Sequence, residues 1–165
     1  MGSLSLRLAN ATLLPYDVVK YATDLDAHFN HAKTQVSSYY SDFAGFKAST
    51  AAISSLHTTA NLVAKAFEQR LKNEQISKTK AEELNAMLLD LEKSFLYAEG
   101  MPYGDWYKSL YASSDPFSGY ASWILPGIQY QIEIQNKEEL SQWDSIYAKA
   151  IRDLDEKLVD ILEEI

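Results

Sequence analysis

Apolar residues recur at alternating intervals of three and four along four long segments of the chain. This spacing is the period of an amphipathic helix that buries one narrow face, as helices in a bundle do. Pro15 and Asp17 mark the start of the first helix, and Ser77 is suited to cap the third. The four apolar stripes are Val18, Ala22, Leu25, Phe29, Ala32, Val36, Tyr39 and Phe43; Phe46, Ser49, Ile53, Leu56, Ala60, Val63, Phe67 and Leu71; Leu84, Leu88, Leu91 and Phe95; and Leu140, Trp143, Tyr147, Ala150 or Ile151, Leu154, Leu158, Ile161 and Ile165.

Residues that favour turns separate these segments. Asp42 and Gly45 end the first segment, the polar run 72–75 ends the second, and Gly100 with Pro102 ends the third. The first three segments therefore have short connections, whereas a long connection precedes the last. This pattern predicts an all-α fold, a four-helix up-and-down bundle with a long aromatic loop between the third and fourth long helices.

The long loop covers residues 106–127 and is rich in aromatic side chains. So much apolar surface disfavours a solvated, disordered loop, and we expect an ordered loop that packs on other polypeptide. The next run, residues 128–134, alternates apolar and polar residues as a strand does. A lone strand in a helical domain has no pairing partner, so a short helix is the preferred interpretation. The candidate interface residues of the loop are Trp106, Tyr107, Tyr111, Phe117 and Trp123.

Composition excludes several classes of function. A length of 165 residues suits a single domain, and a hydrophobic content of 47% is that of a globular protein. The net charge of −8 argues against nucleic acid and against anionic lipid as partners. Because no apolar run is long enough to span a bilayer, we also expect no direct membrane contact. The chain has no cysteine, which excludes disulfides and thiol chemistry.

The first residues are interpreted apart from the fold. The opening Met-Gly-Ser resembles a cloning remnant, so residues 1–14 are interpreted as a tag remnant and a lead-in, and residues 15–165 as the helical domain. Asn10 begins an Asn-Ala-Thr glycosylation sequon. Such triplets arise often by chance, and an unmodified asparagine is the favoured interpretation.

No complete catalytic or metal-binding constellation is present in the sequence. His28 and His31 lie on one side of a predicted helix, but without a Glu-x-x-His motif they are interpreted as surface histidines. His57 has no nucleophile beside it. The sequence also lacks a Gly-rich phosphate loop and the motifs of serine hydrolases and zinc peptidases. We therefore assign no catalytic residue, no metal ligand and no cofactor to this chain.

Several short motifs resemble a known family when they are taken together and in order. They are residues 8–17 (LANATLLPYD), 21–22 (YA), 91–95 (LEKSF), 107–112 (YKSLYA), 119–121 (GYA) and 125–128 (LPGI). This order and spacing resembles the C-terminal helical domain of the glutamate carboxypeptidase II family. That family is also called the N-acetylated alpha-linked acidic dipeptidase family, and it includes transferrin receptor.

The resemblance implies a larger parent protein with a protease-like domain that carries two zinc ions and an inserted apical domain. It implies that the helical domain forms much of a homodimer interface, and that its long loop supplies a Lys-Tyr pair for the substrate carboxylate. Tyr120 occupies the tyrosine position of that pair, and Gly119 occupies the lysine position. Glycine offers only a backbone N–H where lysine offers a charge-assisted hydrogen bond. The difference favours a receptor-like or non-peptidase parent.

Three functions follow from these observations. The first is a non-catalytic dimerisation domain that contacts a second copy and the upstream protease-like and apical domains of its own protein. The second is part of an active zinc exopeptidase, in which Tyr120 helps to bind substrate. In this chain by itself, Tyr120 is instead interpreted as a loop anchor packed with Tyr111 and Trp123. The third is a stand-alone helical bundle that binds a partner helix. The resemblance also implies a lumenal or extracellular location, within a type II membrane protein.

Overall fold

The computed structural model describes residues 11–73 and 76–165, which are largely helical. The predicted lead-in up to residue 10, with the Asn10 sequon, lies outside the described residues. The α-helices of the described part are α1 (Val18–Tyr39), α2 (Lys47–Lys72), α3 (Lys78–Asp90), α4 (Pro126–Glu133) and α5 (Leu140–Glu164). A 3-10 helix (Leu91–Phe95) follows α3, and two short strands, β1 (Ala112–Ser114) and β2 (Ser122–Ile124), form an antiparallel hairpin.

Two helices begin at side-chain caps that the sequence predicts. The Asp17 carboxylate accepts the backbone N–H of Lys20 at 2.8 Å, at the start of α1. The Ser77 hydroxyl accepts the backbone N–H of Lys80 at 3.2 Å, at the start of α3. Each cap satisfies one of the backbone donors that the first turn of a helix leaves without a partner.

The start of α2 is capped by a side chain from another helix. Phe46 precedes α2 and offers no side-chain acceptor. Instead, the Asp144 carboxylate of α5 accepts the N–H groups of Ala48 and Ser49, each at 2.9 Å. The Ser49 hydroxyl, which is fully buried, donates to the backbone carbonyl of Asp144 at 3.0 Å. These three bonds join the first turn of α2 to the first turns of α5.

The two helices of this pair run in the same direction and make the most extensive helix contact in the described chain. Asp144 lies against the start of α2, and further along both helices the Ser55 hydroxyl donates to the Asp155 carboxylate at 2.6 Å. Because contacts advance along both helices together, α2 and α5 are parallel. The short connection from α1 to α2 makes those two helices an antiparallel pair.

The third helix runs against α5 in the opposite direction. Lys80, near the start of α3, contacts Glu164 at the end of α5. At the other end of α3, the Lys157 ammonium lies 3.0 Å from the Asp90 carboxylate. The directions of α1, α2, α3 and α5 therefore alternate along the chain. The prediction of a mainly helical fold is confirmed at this level.

The predicted apolar stripes form the core, with exceptions near helix ends. All stripe residues are buried apart from five. Phe43, Phe67 and Ile165 are half-buried, whereas Tyr39 and Leu71 are 58% and 51% exposed. The prediction was therefore wrong for Tyr39 and Leu71. Both lie in the last turn of their helices, where the neighbouring helices cover less of the helix surface.

The predicted end of the third helix is also wrong. The α-helix stops at Asp90, the backbone tightens into the 3-10 helix, and Leu96 is extended (φ −87°, ψ 124°). Tertiary contacts occupy backbone acceptors of this region: the Asp90 carbonyl accepts the Lys157 ammonium at 3.1 Å, and the Phe95 carbonyl accepts the N–H of Leu110 at 2.8 Å. Leu91 remains buried. The predicted apolar stripe is therefore confirmed at Leu91, although the predicted helix boundary was wrong.

Regular structure occurs both within the predicted loop and in the alternating run that follows it. The hairpin of β1 and β2 makes the strictly all-α description incomplete, because residues 106–127 are not irregular throughout. The alternating run after Pro126 is helical, as preferred: α4 buries Ile128 and Ile132 and ends at Glu133.

Replacing a leucine of the core by alanine should destabilise the fold. Leu25, Leu56 and Leu154 are at most 1% exposed. We expect each Leu→Ala change to lower the free energy of unfolding by about 2 to 5 kcal/mol, because it leaves a cavity in packed surroundings. Chemical denaturation measures this change. Leu89→Ala, at a site 54% exposed on α3, is the matched control and should stay within about 0.5 kcal/mol of the unmodified chain. Small effects at two of the core positions would contradict the core assignment.

Candidate functional site

The segment that contains the predicted loop is bonded to the end of the 3-10 helix at its entry and is closed on itself at its exit. On the entry side, the N–H of Tyr97 donates to the carbonyl of Lys108, and the N–H of Leu110 to that of Phe95, each at 2.8 Å. On the exit side, the N–H of Leu125 donates to the carbonyl of Tyr111 at 3.0 Å. These long-range backbone bonds make the segment an ordered projection from the helical body.

The exit of the hairpin is clamped by α5. Gly127 of α4 packs so closely under the Trp143 ring that a Cβ atom at this position would overlap it. The Tyr147 hydroxyl is completely buried and accepts the N–H of Gly127 at 3.1 Å. Burial raises the pKa of Tyr147 well above its ordinary value, so the phenol stays neutral. Leu125, just before this contact, is buried in the left-handed region (φ 51°), a costly conformation for a side chain of its size.

The tip of the hairpin is shaped by one aspartate. The Asp115 carboxylate accepts the N–H of Phe117 at 2.8 Å and the hydroxyl of Ser118 at 2.5 Å. These two hydrogen bonds, that from Ser118 first, lower the pKa of Asp115, so the carboxylate stays charged and keeps the turn closed. The Asp115 carbonyl also accepts the N–H of Gly119 at 2.8 Å. Gly119 has φ +71°, a conformation that side chains rarely adopt.

Six aromatic rings on and beside the hairpin form one connected cluster, which we call the aromatic surface. The Phe117 ring stacks on that of Tyr130, with 6.2 Å between centroids and 11° between planes. The Tyr103 ring lies between Tyr130 and Trp123, with centroids 5.3 and 5.9 Å away. The cluster continues through Tyr107 to Trp106. The members of the aromatic surface are Tyr103, Trp106, Tyr107, Phe117, Trp123 and Tyr130.

Only part of this surface is covered by the chain itself. Trp123 is buried, whereas Trp106 is 79% and Phe117 65% exposed. Tyr120, at the tip, is 98% exposed. The interpretation of Tyr120 as a loop anchor packed with Tyr111 and Trp123 is therefore wrong. Exposed aromatic side chains on an ordered backbone are typical of surfaces that contact other proteins.

Tyr111 belongs to a different group of rings. Its centroid lies 5.5 Å from that of Tyr21 and 5.6 Å from that of Phe95. Its hydroxyl lies 3.5 Å from the His28 ring nitrogen. The structure thus separates the five predicted interface residues, with Tyr111 packed against α1 and the other four in the aromatic surface. Sequence reasoning missed Tyr103 and Tyr130, because they lie outside the predicted loop.

The histidines and carboxylates do not converge. His31 is exposed, and His57 is half-buried on α2. Within residues 11–73 and 76–165, no group of three or more histidine, aspartate or glutamate side chains is placed to hold a metal ion. None of the helices described here combines the length and the apolar character that crossing a bilayer requires.

Buried helical faces, together with ordered aromatic rings left open to solvent, define a helical interaction domain. Comparison with known protein families identifies the family of this interaction domain. The family of transferrin receptor-like dimerisation domains matches residues 28–159. The chain belongs to this family, as the motifs in its sequence indicated.

Its relatives include proteins with glutamate carboxypeptidase names. The chain is 24% identical to a probable glutamate carboxypeptidase of Arthroderma benhamiae over 155 residues, which is 92% of this chain and 21% of that protein. It is 30% identical to the probable glutamate carboxypeptidase AMP1 of Arabidopsis thaliana over 148 residues, which is 83% of this chain and 20% of that protein. The chain therefore spans about a fifth of the length of these relatives.

Two aromatic residues of the hairpin should differ sharply in their contribution to its order. We expect Trp123→Ala to lower the free energy for opening the hairpin by about 3 kcal/mol or more, because Trp123 is buried against other rings. Tyr120→Ala should change it by less than about 0.5 kcal/mol, because Tyr120 is almost completely exposed. Native-state hydrogen exchange of the Asp115 and Leu125 amides reports this opening. A similar loss of protection in both variants would contradict the assignment of Tyr120 to the free surface.

Proposed function

We propose that this chain is the dimerisation domain of a larger glutamate carboxypeptidase-like protein, to which it contributes contacts and no catalytic group. The observation that carries this proposal is the match to the transferrin receptor-like dimerisation domain over residues 28–159. The names of the relatives and the fraction of their length that the chain spans support a larger parent. We assign residues 11–14 to the lead-in from its preceding domain.

The proposed contact with a second copy lies on the pair formed by α2 and α5, within an up-and-down four-helix bundle. Leu62 lies two turns after Ser55 on one side of α2, and Val159 lies one turn after Asp155 on one side of α5. Because Ser55 is hydrogen-bonded to Asp155, Leu62 and Val159 share a face of the pair. They are 48% and 41% exposed, so this face offers apolar side chains to a partner.

The aromatic surface is the proposed contact with upstream protease-like or apical domains of the same protein. Its exposed members are large rings held on a hairpin that is fixed at both ends. Such preorganised rings lose little conformational freedom on binding. In the parent, this part is proposed to lie on the lumenal or extracellular side.

A second candidate function is completion of a substrate pocket in a zinc exopeptidase parent. The exposure of Tyr120 at a rigid tip favours it, because the phenol is free to bind a group supplied from outside. At the neighbouring position, a Cβ on Gly119 would meet no atom within 4 Å, but its φ of +71° disfavours any side chain. A lysine side chain at position 119 would have space, but its backbone would be strained in this conformation. Zinc, in such a parent, belongs to residues upstream of this chain.

Sedimentation equilibrium over a range of concentrations tests the dimer. We expect the average mass to rise above the 18.6 kDa of one chain as concentration increases. The double change Leu62→Asp and Val159→Asp should weaken association at least about ten-fold, because carboxylates would be desolvated in the interface.

Leu89→Asp is the matched control, at a leucine that is 54% exposed on α3. It should leave association unchanged. Equal weakening by this control would refute the assigned face, and a constant mass of one chain at every concentration would refute dimerisation of the domain by itself.

An activity assay tests the non-catalytic part of the proposal. The chain with added zinc should release no glutamate from an acidic dipeptide, because no cluster of ligands among the described residues could hold and activate a zinc-bound water. A parallel sample with a chelator gives the background. Zinc-dependent hydrolysis above that background would show that the chain carries catalytic groups.

A further inference from the structure

A second aromatic feature lies outside the aromatic surface, between the start of α1 and the 3-10 helix. It is an open cavity of about 500 Å³, a size typical of sites for small molecules. We call it the tyrosine cleft, and its walls are formed mainly by Tyr16, Tyr21, Phe95 and Tyr111, with Glu92 and Lys93 at its rim. Neither the proposed dimer face nor the aromatic surface includes these residues.

The rings of the tyrosine cleft form a corner. The centroids of Tyr21, Phe95 and Tyr111 lie 5.5 to 5.9 Å from one another. Their planes are inclined by 48° to 87°, so the rings do not stack into a flat wall. Phe95 is only 2% exposed and backs this corner, whereas Tyr21 and Tyr111 are half-buried and face the cleft. A compact group seated against Tyr21 and Tyr111 lies within about 6 Å of both centroids, which is the range of a cation–π contact. Tyr16, 38% exposed, supplies a fourth ring on the open side.

The charges around the cleft favour a positive occupant. Lys93 is held by Asp90, with 2.8 Å between the ammonium and the carboxylate. Lys20, which is close to Tyr111, is held by Asp24 at 2.8 Å. Glu92, which also lines the rim, forms no ion pair in the part of the chain that the structure describes, so its carboxylate is free to meet a cation. The aromatic faces add negative potential of their own.

The tyrosines remain neutral and keep their rings available. Burial, and then the proximity of Tyr111 and Glu92, raises the pKa of Tyr21 far above its ordinary value. Burial also raises the pKa of Tyr111. Neither phenol ionises near neutral pH. A cation in the cleft would therefore meet neutral aromatic rings and the carboxylate of Glu92, and no phenolate.

We propose that the tyrosine cleft binds an alkylammonium group, with the charge and its methyl or methylene periphery against the rings of Tyr16, Tyr21 and Tyr111. The Glu92 carboxylate lies at the open side as the counter-charge. This is the chemistry by which aromatic cages recognise quaternary ammonium groups, since such a cation is weakly hydrated and leaves water at little cost. The group belongs either to a free small molecule or to a methylated lysine side chain. This site is independent of dimerisation.

A pair of probes of equal shape separates charge recognition from simple apolar binding. Choline and its neutral isostere 3,3-dimethylbutanol differ only in the central nitrogen or carbon atom. In NMR titrations that follow the tyrosine ring protons, choline should bind at least about five-fold more tightly than the alcohol. Nα-acetyl-trimethyllysine amide forms the second arm, and tighter binding of this probe than of choline would assign the group to a protein side chain. Failure of both cations to bind, or equal binding of choline and its isostere, would overturn the proposal.

Three variants locate the site. Tyr16→Leu keeps an apolar side chain but removes a ring, and Glu92→Gln keeps the shape of the side chain but removes its charge. Each should weaken choline binding by about three-fold or more and leave binding of the alcohol unchanged. Glu99→Gln is the matched control, because Glu99 is exposed nearby but does not line the tyrosine cleft. Thermal unfolding checks that the variants keep the fold. If Glu99→Gln weakens choline binding as much as Glu92→Gln does, binding reflects general charge and the proposal is wrong.

Discussion

The packing of α2 against α5 is the contact on which the rest of the structure depends. The start of α2 has no acceptor of its own, so its backbone donors are satisfied by Asp144 only when α5 lies in place. The buried hydroxyl of Ser49 donates a hydrogen bond in return to the backbone of α5. Because this capping joins residues about 95 positions apart, the helix and the tertiary contact stabilise each other. A buried helix start without such a partner would lose much of what its apolar stripe contributes.

The same helix also positions the hairpin. Trp143 and Tyr147 come one and two turns after the start of α5, and both contact Gly127. Only glycine fits beneath the Trp143 ring, so α4 is held close to α5, and Leu125, two residues before this glycine, adopts the left-handed conformation. The strain is tolerated because the burial of Leu125 and the hydrogen bonds on both sides of it fix the backbone. One face of α5 thus serves the core and supports the projecting segment.

The sequence predicts well what depends on local periodicity. The stripe from Val18 to Val36 is buried throughout, because each of its residues faces the same neighbours along a regular helix. What depends on contacts between distant residues could not be predicted. At the helix end at Asp90 no local breaker is present, and the carbonyls of Asp90 and Phe95 are bonded instead to the distant residues Lys157 and Leu110. In the same way, composition predicted an ordered aromatic segment but could not show which of its rings pack against α1 and which belong to the aromatic surface. Tyr111 turns toward α1, whereas Trp123 packs beneath the exposed rings.

The exposed rings differ from the aspartates of the domain, several of which serve the fold itself. Asp17 and Asp144 cap helices, and Asp115 closes the tip of the hairpin. The rings of Phe117 and Tyr120, in contrast, lie mostly in solvent and contribute little to the packing of the domain. Their order costs conformational entropy and exposes apolar area to water. That cost is recovered when another surface covers the rings, since the hairpin is already in its final shape. Contact, and not chemistry within this chain, is therefore the function to which its physical features point.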